Sequence, residues 1–229
     1  MIGRRRRPSK VLAFLAYPGV TPLDLVGPLT VLRNLAGTDY RTVVVGARTE
    51  AMPTDTALRL VPAVTLAEVP TPYAVIVPGG GSATLPAMRD EEVVEYVRTA
   101  AAQASLVGAT GNGALILAAA GLLAGRRAAT HWAYANDLER HGAIWASEPW
   151  VEDGRFLTAA GGAAGIDMML ALLARLKSRP AADLAQLFME YDPEPPLGPL
   201  GPDRGDPELA TLLRTPPKRP QTDHTPEQG

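Results

Sequence analysis

Four short stretches of the chain carry residue types that could do chemistry. Thr110-Gly111-Asn112-Gly113 follows the apolar run at 105–109 and precedes an alanine- and leucine-rich segment that ends at Gly121. This is the position of a nucleophile elbow, a sharp strand-to-helix turn that lifts one side chain above a sheet. Backbone amides at such a turn can also hold an oxyanion. The turn matches neither G-x-G-x-x-G nor a P-loop lysine motif, so phosphate binding is a weak reading. Asp24, in Thr21-Pro22-Leu23-Asp24, could be a general acid or base, or a carboxylate serving a helix N-terminus. His131, in Thr130-His131-Trp132, could be a base or polariser, or a structurally bonded imidazole. Gly79-Gly80-Gly81 could present amides to an anion or form a tight turn.

Composition removes several chemistries. The 229 residues include no cysteine, which excludes disulfides, thiolate zinc sites and a thiol nucleophile. Three histidines do not suggest a histidine-rich metal site, and no cofactor motif is present. A net charge of -2 lacks the basic footprint of a nucleic-acid binder. With 46% hydrophobic and 20% charged residues, the chain can bury a core. No run reaches the roughly 18–20 apolar residues that span a bilayer. The apolar run after Arg4–Arg7 is too short for a signal peptide, so a cytoplasmic protein without membrane contact is expected.

Elements that would position these residues can be read from the pattern. The uninterrupted apolar run at 11–16 and the run at 73–77 read as strands buried in the sheet, and further strands are expected at 41–46 and 105–109. A shorter alternating strand is expected at 57–61, and further short strands at 128–130 and 143–145. A hairpin is expected at 150–152 and 155–159, turning at Asp153-Gly154. Helices are expected at 22–35, 90–103, 114–121, 133–141, 163–177 and 180–190. Such alternation implies an α/β three-layer sandwich, with a mostly parallel central sheet and helices on both faces. Ligands then bind beyond the carboxyl ends of the strands. The loops at 18–28, 79–82, 110–113 and 130–132 should therefore converge there. Met168, Met169, Asp167, Trp145 and Trp150 read as packing or helix residues. Residues 1–9 form a basic arm, 10–192 the folded domain and 193–229 a Pro-rich tail, in which 207–214 could make a turn or two of helix.

Several stretches together resemble the ThiJ/PfpI superfamily, in its isonitrile hydratase-like branch. They are Tyr17-Pro-Gly-Val-Thr-Pro-Leu-Asp-Leu-Val-Gly-Pro28, Ile76-Val-Pro-Gly-Gly-Gly81, the segment from Gly111 to Leu123, Gly125-Arg-Arg-Ala-Ala-Thr-His-Trp132 and Thr158-Ala-Ala-Gly-Gly-Ala-Ala-Gly-Ile-Asp167. The resemblance implies a flavodoxin-like fold and a homodimer. It also implies a catalytic cysteine at the elbow, where this chain has Gly111. The family's acidic residue matches Asp24, its histidine matches His131, and its amide cradle matches Gly79–Gly81 and Gly111–Asn112. Asp24, Asn112 and His131 are thus the expected catalytic residues. Gly79, Gly80, Gly81, Thr110, Gly111, Gly113 and Trp132 are the expected substrate-binding residues.

Without a thiol, protease, deglycase and glutaminase chemistry is disfavoured. Positioned proton transfer remains and is worth about 10²–10⁴-fold. The leading reading is a cofactor-independent lyase, hydratase, isomerase or cyclase acting on a small molecule, in specialised-metabolite biosynthesis. Isonitrile hydration would require water activated by Asp24. The alternative is a catalytically inactive small-molecule-binding protein.

Overall fold

The computed structural model describes residues 9–196 together with Thr211, Leu212 and Arg214. The chain begins with β1 (Lys10–Leu15), then α1 (Pro22–Leu32), which runs into a 3-10 turn at Arg33–Leu35. Next come β2 (Tyr40–Gly46), β3 (Met52–Pro53), β4 (Arg59–Leu60), β5 (Val64–Thr65) and β6 (Ala74–Val77). After β6 lie α2 (Thr84–Ala87), α3 (Glu91–Gln103), β7 (Leu106–Thr110) and α4 (Ala114–Ala119). The remaining elements are β8 (Arg127–Ala128), α5 (Ala135–Arg140), β9 (Ile144–Trp145), β10 (Trp150–Asp153), β11 (Phe156–Ala159), α6 (Gly162–Leu176) and α7 (Arg179–Phe188).

Seven strands make one sheet in the order β10-β11-β7-β6-β1-β2-β5. All neighbours are parallel except the β10–β11 hairpin, where Asp153 pairs with Phe156 across the turn. The strand period of two sorts the apolar runs onto two cores. Leu12 and Phe14 of β1 and Ala74 and Ile76 of β6 pack with α1, α6 and α7. Ala13, Leu15, Val75 and Val77 pack with α3, α4 and α5. Burial on both faces is why these strands read as continuous hydrophobic runs. The expected three-layer α/β sandwich is thus the observed fold.

The structure departs from expectation in short elements. β3 and β4 form a separate antiparallel ribbon, so the strand expected at 57–61 is reduced to Arg59–Leu60. β8 and β9 pair with each other outside the main sheet. β5, at the sheet edge, and the single-turn α2 carry no pattern in the sequence long enough to reveal them. The arginine run at 4–7, His224 and most of the tail after 196 lie outside the described residues. Thr211, Leu212 and Arg214 are helical. Among the described residues no helix is long and apolar enough to cross a membrane.

Candidate active site

The parallel strands β1, β6, β7 and β11 all point their carboxyl ends at one edge, and a cavity of about 200 Å³ sits there. It is lined by Thr21, Asp24, Gly81, Gly111, Asn112, His131, Tyr134, Gly161 and Gly162. The four loops expected to converge do so. Of the ten expected site residues, Asp24, Gly81, Gly111, Asn112 and His131 line the cavity. Gly79, Gly80, Thr110, Gly113 and Trp132 are not part of its lining, and the first three hold the lining residues by hydrogen bonds.

Asp24 lies in the first turn of α1, only 6% exposed. The Thr110 hydroxyl at the end of β7 donates to its backbone carbonyl at 2.9 Å. The Gly79 N–H donates to its Oδ2 at 3.0 Å. Three glycines make room for the carboxylate. A Cβ on Gly79 would lie 2.5 Å from Oδ2, and one on Gly162 would lie 2.8 Å from Oδ1. A Cβ on Gly111 would overlap Oδ2 outright. None of the ion pairs among the described residues involves Asp24. Burial therefore dominates and pushes its pKa from 3.8 up to about 6. The Gly79 N–H opposes that rise, and the negative charge of Asp55 adds to it.

The elbow backbone is retained without a side chain. Gly111 has φ +55°, a left-handed conformation that glycine adopts at least cost. A 3-10 turn, Gly111–Gly113, then feeds α4, and the Thr130 hydroxyl donates to the Gly111 carbonyl at 3.2 Å. The next residue, Asn112, is buried and bonded through both ends of its amide. Its Oδ1 accepts from the Gly80 N–H (3.2 Å) and the Thr84 hydroxyl (2.9 Å), and its Nδ2 donates to the Gly81 carbonyl at 2.6 Å. Tyr17, also buried, donates to the Pro78 carbonyl at 2.9 Å and lies 2.9 Å from the Thr84 hydroxyl. The Gly79 and Gly80 amides, expected to cradle an oxyanion, thus already have protein acceptors.

His131 precedes the 3-10 turn Trp132–Tyr134 and accepts from the Ala133 N–H through Nδ1 at 3.3 Å. The neutral ring therefore carries its proton on Nε2. Burial holds its pKa below 6.5, which favours that neutral form. The Trp132 ring lies 5.5 Å from the His131 ring.

Sequence reasoning missed Thr21, Tyr134, Gly161 and Gly162 in the lining, and Tyr17 and Thr84 behind it. Gly161-Gly162 could have been found, because the pair directly follows a strand that ends at the ligand edge. Tyr134 has no such signal; the 3-10 turn that brings it to the cavity leaves no periodic trace. A larger open groove of about 520 Å³ lies beyond Tyr17, but its charged residues Arg48, Glu50, Asp90 and Glu92 are all exposed. The smaller cavity is the one that contains a buried carboxylate, which makes it the candidate site.

Two stability experiments follow from this geometry. Asp24 titrates near 3.8 unfolded and near 6 folded, so the folded state binds the extra proton between those values. Stability is lost as pH rises through that window, and the loss is complete above about 6. Asp24→Asn keeps an acceptor for Gly79 while removing the charge. It should raise stability at pH 8 by up to about 3 kcal/mol and change little below pH 4, measured by urea unfolding. Gly111→Ala combines left-handed strain with displacement of the carboxylate and should cost roughly 1–3 kcal/mol. Its Tm should fall by about 2–10 °C in calorimetry; an unchanged Tm would mean that Asp24 does not occupy this space.

The fold has recognisable counterparts. The DJ-1/PfpI family model matches residues 9–175. The isonitrile hydratase of Pseudomonas putida is 40% identical over 199 residues, covering 87% of this chain and 84% of that protein. The crystal structure of a ThiJ/PfpI family protein from Pseudomonas syringae superposes with a TM-score of 0.82 at 31% identity, over 93% of this chain and 90% of that one. A cysteine-to-alanine variant of a DJ-1 superfamily protein from Salmonella typhimurium superposes with a TM-score of 0.68 at 26% identity, over 80% of this chain and 99% of that one. On the match across the whole sheet and its surrounding helices, this chain belongs to the DJ-1/PfpI family.

Proposed function

We propose that the protein is a cysteine-independent hydratase that adds water to a small isonitrile, with Asp24 as the proton carrier. The observation that carries this reading is the buried carboxylate of Asp24 in the cavity, which has no counter-ion among the described residues and a pKa raised to about 6. A carboxyl group held near the working pH is suited to give and retake a proton. The 40% identity to an isonitrile hydratase supports the substrate class.

The terminal carbon of an isonitrile carries a lone pair. Asp24, as the acid, protonates that carbon and leaves a nitrilium cation beside its own carboxylate. Water adds to the same carbon, and the carboxylate takes the proton that the water loses. The resulting imidic acid shifts its remaining O–H proton to nitrogen and becomes an N-substituted formamide. The sum is R–NC plus water giving R–NH–CHO, and Asp24 returns to its starting state. Each proton is carried by Asp24 and water, so this sequence needs no cofactor.

Other residues support these steps. The Nε2–H of His131 orients the attacking water, and Asn112 holds the Gly79–Gly81 turn that presents the amide to Asp24. An elbow thiol is not required, because the nucleophile is water and no bond to the protein forms. Leu23 and Val26 of α1, both half exposed next to the site, support a homodimer packed across α1. Light scattering should give twice the mass of one chain, and Val26→Glu should halve it.

The catalytic test is a pH–rate profile with a small alkyl isonitrile as substrate, following formamide formation. kcat/KM should be level below about pH 6 and fall above it, because the acid form is the one required. Asp24→Asn should lower it by about 10²–10⁴-fold. Binding of the isonitrile without formamide would instead establish an inactive binding protein. A rate that rises through pH 6 would overturn the acid role of Asp24.

A further inference from the structure

Arg214 reaches the wall of the cavity from the far end of the chain. Its Nη2 pairs with Asp137 Oδ2 at 2.6 Å, and its Nη1 donates to the Ala133 carbonyl at 3.3 Å. Its guanidinium lies 5.5 Å from the centre of the Tyr134 ring. These contacts fall on one short segment, the turn Trp132–Tyr134 and the first turn of α5. The same segment carries His131 and Tyr134 into the cavity lining. Both ends of Ala133 are engaged, since its N–H fixes the His131 ring and its carbonyl accepts from Arg214.

Among the described residues of this segment Arg214 makes the contacts, while Leu212, two residues earlier, is 67% exposed. Asp137 is half of the explanation. Its side chain is only 15% exposed, and its Oδ1 is bonded to Arg140 at 3.0 Å, which leaves Oδ2 to Arg214. A pair on a partly desolvated carboxylate is held more firmly than an open surface pair. A bridge from carbonyl to carboxylate beside an aromatic ring needs the planar, multi-donor guanidinium, which lysine cannot reproduce.

We propose that Arg214 is a positioning residue of the site. It pins the Trp132–Tyr134 turn, so the cavity wall that holds His131 and Tyr134 depends on a residue beyond the α/β body. This rests on the reading of that cavity as the reactive site. The test uses the full-length chain with Arg214→Ala, Arg214→Lys, Asp137→Asn and the Arg214→Ala/Asp137→Asn pair.

With an alkyl isonitrile, Arg214→Ala should raise KM by about 10-fold and lower kcat by a few-fold, because the turn it pins carries the His131 that orients the water. Arg214→Lys should not restore KM. Because both residues belong to one contact, the double variant should be no worse than the single ones. The Tm should stay within about 3 °C of the parent, since Arg214 is an end-of-chain residue that is one-third exposed. A second readout needs no substrate. The His131 ring titration followed by NMR should move upward toward 6.5 in Arg214→Ala, as a loosened wall admits water.

A wild-type KM and an unmoved His131 titration in Arg214→Ala would overturn the proposal, as would additive effects in the double variant. If the parent protein forms no formamide, the hydratase reading fails, and the His131 titration alone decides the role of Arg214.

Discussion

A carboxylate buried at the carboxyl edge of a parallel sheet, with no counter-ion among the described residues, is the constraint on which the rest of this site depends. Burying such a group is costly, and one backbone N–H offsets only part of the cost. The fold accommodates it by removing side chains around it. Gly79, Gly111 and Gly162 come from three different loops, and each leaves room for the Asp24 oxygens that a Cβ would take. The Thr110 hydroxyl fixes the backbone from below, so the carboxylate is located from the sheet as well as from its own helix. A group kept in so unfavourable a setting is what acid–base chemistry needs, because the setting brings its pKa near neutrality.

The same arrangement accounts for glycine at the elbow. The turn keeps the left-handed backbone that exposes a nucleophile in related folds, yet the volume of the side chain is filled by Asp24. In this chain a Cβ at position 111 would lie on the Asp24 Oδ2, so the carboxylate occupies space that glycine leaves open. Behind them, Tyr17, Thr84 and Asn112 link the Pro78–Gly81 turn to the elbow through side-chain hydrogen bonds. That buried network sets where the Gly79 N–H points, and through it the position of the Asp24 oxygen.

Much of the fold was legible in the residues. Apolar runs announced β1, β6 and β7, because strands covered on both faces have no polar side to show. Asp90 announced α3 and caps it, accepting from the Glu92 and Val93 amides. Two-residue strands such as β5, β8 and β9 were hidden or misplaced, since their pairing is decided by distant partners and not by local periodicity. In the site, Asp24, Gly111 and His131 stood out by residue type and by their place at strand ends. Tyr134, Tyr17 and Thr84 did not, because an aromatic or a threonine in a loop has the same appearance whether it faces a cavity, a hydrogen-bond network or solvent.

The sequence by itself determined the class of fold, the edge of the sheet at which the candidate site lies and the exclusion of thiol chemistry. These follow from pattern, composition and chain order, which are local or countable properties. Only the tertiary structure decided that Asp24 occupies the space of an elbow side chain, that Asn112 is engaged in holding the glycine turn, and that Arg214 reaches Asp137 from 77 residues away. Each of these is a distance between segments remote in sequence. Such distances are fixed by packing across the sheet, which no local stretch of residues encodes.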